Sequence, residues 1–83
     1  MKKAQAGSVE SNDALITVSE SDTLEINITS IVSAFFYDQI YQVITLTLKE
    51  LNIKNIKVEA VDKGALDYTI KARLITALER MGK

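Results

Sequence analysis

Few residue types in this chain can do chemistry. Its 83 residues include no Cys and no His, which excludes a His-based triad, a thiol nucleophile and a zinc site of the usual nitrogen and sulfur donors. Carboxylates, Lys, Tyr and hydroxyls remain, a poor set for a self-sufficient enzyme of this size. The most polar cluster of them is Gly7-Ser8-Val9-Glu10-Ser11-Asn12-Asp13, directly ahead of the first apolar run. Glu10 and Asp13 suggest a cation, but two carboxylates without further oxygen ligands do not make a calcium site. By type alone, Ser8 and Ser11 read as solvated loop residues, Ser19 and Ser21 as turn residues, Ser30 as a helix cap and Ser33 as a helix-surface residue.

The elements that would position these residues fit into one domain. A chain this short buries only about 60% of the surface its unfolded form exposes, so one small, well-patterned core must hold it. Its 47% hydrophobic and 25% charged residues are ordinary globular usage. No apolar run approaches the roughly 18 residues of a membrane span. The N-terminal MKKAQAGS has lysines but no apolar stretch behind them, unlike a secretory signal. With no cysteine to suggest an oxidising compartment, the expected location is cytoplasmic.

Charge is unevenly spread. No Lys or Arg lies between Lys3 and Lys49, whereas Glu10, Asp13, Glu20, Asp22, Glu25 and Asp38 all do. This is either a solvated face or an acidic end that docks on a basic partner surface. A pI near 5.3 and dispersed basic residues argue against nucleic-acid binding.

Residues 1–13 lack periodicity and read as a flexible leader, with a single α+β domain over 14–83. ALITVSE (14–20) and LEINITS (24–30) read as strands, the second alternating cleanly, and the polar SESD between them suggests a hairpin. Phe36, Ile40, Val43, Ile44, Leu48 and Leu51 then recur at helical spacing, predicting a helix over 31–51, with Ser30 as its N-cap and Asn52 closing it. NIKVEAV (55–61) alternates again, and Gly64 in DKG suits a turn with positive φ. ALDYTI (65–70) fits a strand through Leu66, Tyr68 and Ile70. Yet Leu66, Ile70, Leu74, Leu78 and Met81 also fit one helical face. Because Tyr68 lies off that stripe, the reading is a strand to Ile70 and a helix over 72–81. The expected fold is a small ββαββα two-layer sandwich, an antiparallel sheet covered by helices on one face.

Two separated stretches, AGSVESNDALITV (6–18) and VDKGALDYTIKARLITALER (61–80), resemble the acyl carrier protein, or gamma subunit, family of citrate lyase. The matching residues are Gly7 to Ser11, Asp62 to Asp67, and Ala72 with Arg73. The resemblance implies a non-catalytic carrier subunit whose modified serine is Ser11. That serine carries a covalent phosphoribosyl-dephospho-CoA group through a phosphodiester, its thiol bearing acetyl and then citryl. It also implies an alpha subunit that exchanges acetyl for citrate and a beta subunit that releases oxaloacetate. A prosthetic-group transferase would load the carrier, recognising Glu10, Asn12 and Asp13. A thioester carrier without cysteine must borrow its thiol, and a hydroxyl is the one attachment handle the leader offers. The rival readings are the carrier subunit of malonate decarboxylase, which uses the same group, and a small interaction module that carries no cofactor. No metal, nucleic acid or membrane is expected as a partner.

Overall fold

The fold starts earlier in the chain than the apolar pattern suggests. The computed structural model describes residues 2–30 and 33–83, without the side chains of 33–35. Its elements are β1 (Lys3–Gly7), β2 (Ala14–Ser19), β3 (Glu25–Ser30), α1 (Ser33–Glu50), β4 (Lys57–Asp62) and α2 (Asp67–Met81). The segment read as a flexible leader thus contributes an edge strand, β1, antiparallel to β2. Its inward residues, Ala4 and Ala6, are too small to register as an apolar stripe, yet Ala6 is buried.

The expected layers are present: one four-stranded sheet, with α2 over β1 and β2, and α1 over β3 and against α2. The element order is βββαβα rather than ββαββα, and the sheet is mixed rather than antiparallel. Its strand order is β1-β2-β4-β3. β4 enters between β2 and β3, antiparallel to the first and parallel to the second, so the expected β2–β3 hairpin does not form. The cause is α1, an 18-residue helix that provides the crossover two parallel strands require. The polar link between β2 and β3 then has only to pass one strand, a span of about 10 Å.

With both its neighbours in place, β4 has no free side for a further strand. The segment expected as a strand to Ile70 is accordingly helical from Asp67. Ile70, Leu74, Ala77, Leu78 and Met81 are buried along one stripe, while Tyr68, the residue that favoured a strand, is 72% exposed. The covered face of the sheet mixes small and large residues, alternating them in one row. Ala6, Ile16, Ala60 and Ile28 form one row across the four strands, and Ala4, Val18, Val58 and Ile26 the next. The alanines leave room for helix side chains such as Leu74 to settle at interior packing density.

Both helices close through left-handed residues. Asn52 (φ 59) ends α1, with the amide of Ile53 donating to Leu48 O at 2.9 Å, and Gly82 (φ 97) ends α2 in the same way. The expected cap, Ser30, is the last residue of β3 and donates its hydroxyl to Asp62 Oδ2 at 2.9 Å. The first expected turn of α1, at 31–32, lies outside the described residues. Among the described residues, no helix is long and apolar enough to cross a membrane.

Candidate functional site

The loop between β1 and β2, residues 8–13, contains the polar cluster. Within it Glu10 to Asp13 form a tight turn, closed by the amide of Asp13 donating to Glu10 O at 3.1 Å. Two of the turn types closed this way, II and I′, need a third residue that accepts positive φ. Asn12 takes that role at φ 67, a conformation Asn tolerates better than most side chains. Ser11 is therefore the second residue of the turn, exposed at its tip.

A second loop holds this one in place. The amide of Asn12 donates to Lys63 O at 2.8 Å, and the amide of Lys63 donates to Asp13 O at 2.9 Å. Lys63 belongs to the turn between β4 and α2, itself shaped by buried Asp62. That carboxylate accepts from the Ala65 amide and the Ser30 hydroxyl, each at 2.9 Å. Gly64 has the positive φ expected of it, 91. The two stretches that carry the family resemblance are thus far apart in the chain but bonded to each other in the fold.

Asp13 fastens the loop to α2. Arg73 donates from Nε to Asp13 Oδ1 at 3.0 Å and from Nη2 to Oδ2 at 3.1 Å, a two-point grip matched to carboxylate geometry. The Ser8 hydroxyl donates to Oδ2 and the Ala14 amide to Oδ1, both at 2.7 Å. The hydrogen bond from Arg73 is the main cause holding the Asp13 carboxyl down at about 2, with Ser8 and Ala14 adding to it and partial burial opposing. Gly7 (φ 99) makes the arrangement possible. A Cβ there would fall 1.8 Å from Ala14 O and 3.2 Å from Arg73 Cδ.

The four residues singled out in the sequence, Glu10, Ser11, Asn12 and Asp13, therefore share one turn but face different ways. The side chains of Glu10, Ser11 and Asn12 are exposed, whereas Asp13 is turned inward onto Arg73. The two serines also separate. The Ser8 hydroxyl is engaged twice, donating to Asp13 and accepting from the Glu10 amide at 3.3 Å. The Ser11 hydroxyl has no hydrogen-bond partner among the described residues. Sequence reasoning gave no structural part to Gly7, Lys63 or Arg73, although all three lie in the quoted stretches. Nothing in a linear pattern pairs Asp13 with a residue 60 positions away.

Comparison with known proteins gives the family. The profile described as malonate decarboxylase delta subunit (MdcD), an acyl carrier family, matches residues 1–81. The citrate lyase acyl carrier protein of Oenococcus oeni is 54% identical over 80 residues, covering 95% of this chain and 82% of the relative. That of Streptococcus mutans is 53% identical, covering 93% and 78%. The chain belongs to the citrate lyase acyl carrier protein family. A third member, from Halothermothrix orenii, is 43% identical and aligns with 99% of the chain and 88% of its own length. Family members are carrier subunits, so this chain is a carrier and not a catalyst. As an acyl carrier it works through a covalently attached prosthetic group within a multi-subunit lyase. The fold is also that of a chain in the crystal structure of a Pseudomonas malonate decarboxylase hetero-tetramer in complex with malonate. Its TM-score is 0.69 at 17% identity, covering 98% of this chain and 84% of that one.

Proposed function

We propose that this chain carries the acyl group in citrate lyase from Ser11, through a phosphoribosyl-dephospho-CoA arm attached there by a phosphodiester. The contrast between the two loop serines carries the reading: the Ser11 hydroxyl is exposed at a turn tip and unpartnered among the described residues, whereas Ser8 is tied to Asp13 and Glu10. The residues fit such an arm in a second respect. Arg73 neutralises Asp13, which leaves Glu10 as the turn's carboxylate without an ion pair among the described residues, beside the incoming phosphates. Bound, the arm supplies the thiol that a cysteine-free chain lacks. In attachment, Ser11 Oγ forms a bond to phosphorus as a P–O bond to a phosphate-class leaving group breaks. The hydroxyl proton passes to a base on the transferase. The domain then tethers the arm, so each acyl exchange at the alpha and beta subunits becomes effectively intramolecular. Glu10 and Asn12, both exposed, are the side chains offered to the transferase, and the compartment is the cytoplasm.

The test is intact mass and peptide mapping after incubation with the transferase. Ser11→Ala should stay unloaded with an unchanged unfolding midpoint, while Ser8→Ala still reaches full loading. The reverse result would move the anchor to Ser8. The malonate decarboxylase reading is favoured by the description of the matching profile. Reconstitution separates the two, because loaded carrier should restore citrate cleavage with alpha and beta subunits and not malonate decarboxylation. Unmodified protein isolated from the native host would favour a cofactor-free module.

A further inference from the structure

A serine on a loose polar segment and a serine on a braced turn pose different problems for the enzyme that modifies them. A loose segment is read as a short linear sequence, and ordering it costs affinity at every encounter. A braced turn is presented already formed. The loop here has three independent attachments to the body of the domain. Its ends continue into the β1–β2 ladder, two backbone hydrogen bonds join it to Lys63, and Arg73 grips Asp13 at two points. Of these, the Arg73 grip depends on one side chain that can be altered without touching the backbone. Arg73 approaches from α2 past Gly7, and its side chain is 42% exposed, against 17% for Asp13.

From this geometry we infer that Arg73 is a positioning residue for modification of the carrier: by holding Asp13, it presents Ser11 to the attaching transferase as the tip of a preformed turn. Asp13 then acts through Arg73 and is not itself read by the transferase. The target is a folded shape and not a peptide sequence. This rests on the reading of Ser11 as the anchor. Peptide mapping of wild-type carrier tests that separately, since an arm on another residue would refute the anchor whatever Arg73 does.

When only a fraction of molecules holds the competent turn, apparent affinity falls by that fraction. If loss of the grip leaves the turn formed about a tenth of the time, the KM for carrier rises about ten-fold while kcat is retained. A residue that only stabilises the fold would lower the unfolding midpoint without splitting KM from kcat at temperatures where the domain is fully folded.

The experiment compares wild type, Arg73→Gln and Arg73→Lys as full chains, each first shown folded by its unfolding transition. Transferase kinetics are measured against carrier concentration, and hydrogen exchange is followed at the Asn12, Asp13 and Lys63 amides. Arg73→Gln should raise KM several-fold or more with little change in kcat and speed exchange at those amides. Arg73→Lys, which keeps the charge but loses the fork, should fall between. A synthetic peptide of residues 6–16 should neither be loaded efficiently nor compete with folded carrier. Unchanged KM in Arg73→Gln, unchanged exchange, or efficient loading of the peptide would each overturn the inference. Should Arg73→Gln fail to fold, wild-type kinetics in Arg73→Lys would do the same.

Discussion

Replacing Gly7 with Ala tests the construction of the loop more sharply than any change at the serines. Two costs add at this position. The first is conformational: at φ 99 a side chain meets the steric penalty that glycine escapes, about 1 kcal/mol or somewhat more. The second is overlap, because the new Cβ would lie 1.8 Å from Ala14 O and 2.9 Å from Ala14 C. Both obstacles are backbone atoms of a central strand and cannot rotate away, so the β1–β2 connection must shift, at about 1–3 kcal/mol. Gly64→Ala is the matched control. Its φ is similar, 91, but its Cβ would meet only Asn12 Oδ1 at 3.6 Å, an ordinary contact. For a domain of this size each kcal/mol moves the unfolding midpoint by about 4–8 °C. Gly64→Ala should therefore cost about 4–8 °C, and Gly7→Ala about 8–30 °C. Calorimetry or circular dichroism melts of both variants provide the measurement. If Gly7→Ala is no less stable than Gly64→Ala, the close approach to Ala14 is not a constraint on the folded chain.

Asp13 should make part of the stability depend on pH. Its pKa is lowered from 3.8 to about 2 on folding, so its contribution is complete above about pH 5 and is lost as pH falls through 2. Denaturant melts of wild type and Asp13→Asn should differ by a constant amount from pH 7 to 5 and converge between 4 and 2. A gap that persists at pH 2 would show that the charge is not what Arg73 holds. Leu74 is fully buried in α2, so Leu74→Ala should cost about 2–5 kcal/mol in urea titrations, and a loss under 1 would mean that the helix packs differently. Asp62→Ala removes the acceptor of the Ser30 hydroxyl and the Ala65 amide and should cost about 1–3 kcal/mol. Asp62→Asn, which keeps an acceptor oxygen, should cost less. Equal losses in the two Asp62 variants would rule out the hydrogen bonds as the cause.

What was legible in the sequence followed from what each pattern encodes. The stripe through Ile40, Ile44 and Leu48 and the alternation in 14–20, 24–30 and 55–61 identify α1, β2, β3 and β4, because burial on one face imposes a period, although Phe36 and Leu51 at the ends of the stripe are exposed. Asn52 and Gly64 have the positive φ that their residue types suggest. Alternation says which face a residue takes but not which strand lies beside it, so the insertion of β4 between β2 and β3 was invisible. The segment from Ala65 to Ile70 satisfied both periods, and a hairpin partner for β4 was ruled out only by the two neighbours β4 already has. Ala4 and Ala6 concealed β1 by their size. At the site, Glu10 and Ser11 were found through resemblance to a family. The distinction between Ser8 and Ser11 depends on an Asp13 carboxylate held from α2, and that contact exists only in three dimensions.

The span of the Asp13–Arg73 contact bears on when the carrier can be made ready. Ser11 leaves the ribosome well before the residue that braces its turn, which follows Asp13 by 60 positions. At about 5–20 residues per second, that interval is roughly 3–12 s of synthesis. Through it Ser11 is chemically present while the shape around it is not, since β4, the Lys63 turn and α2 have yet to appear. An enzyme that reads the braced turn would pass over nascent and misfolded chains alike, so the costly arm would be committed only to carriers that had already folded.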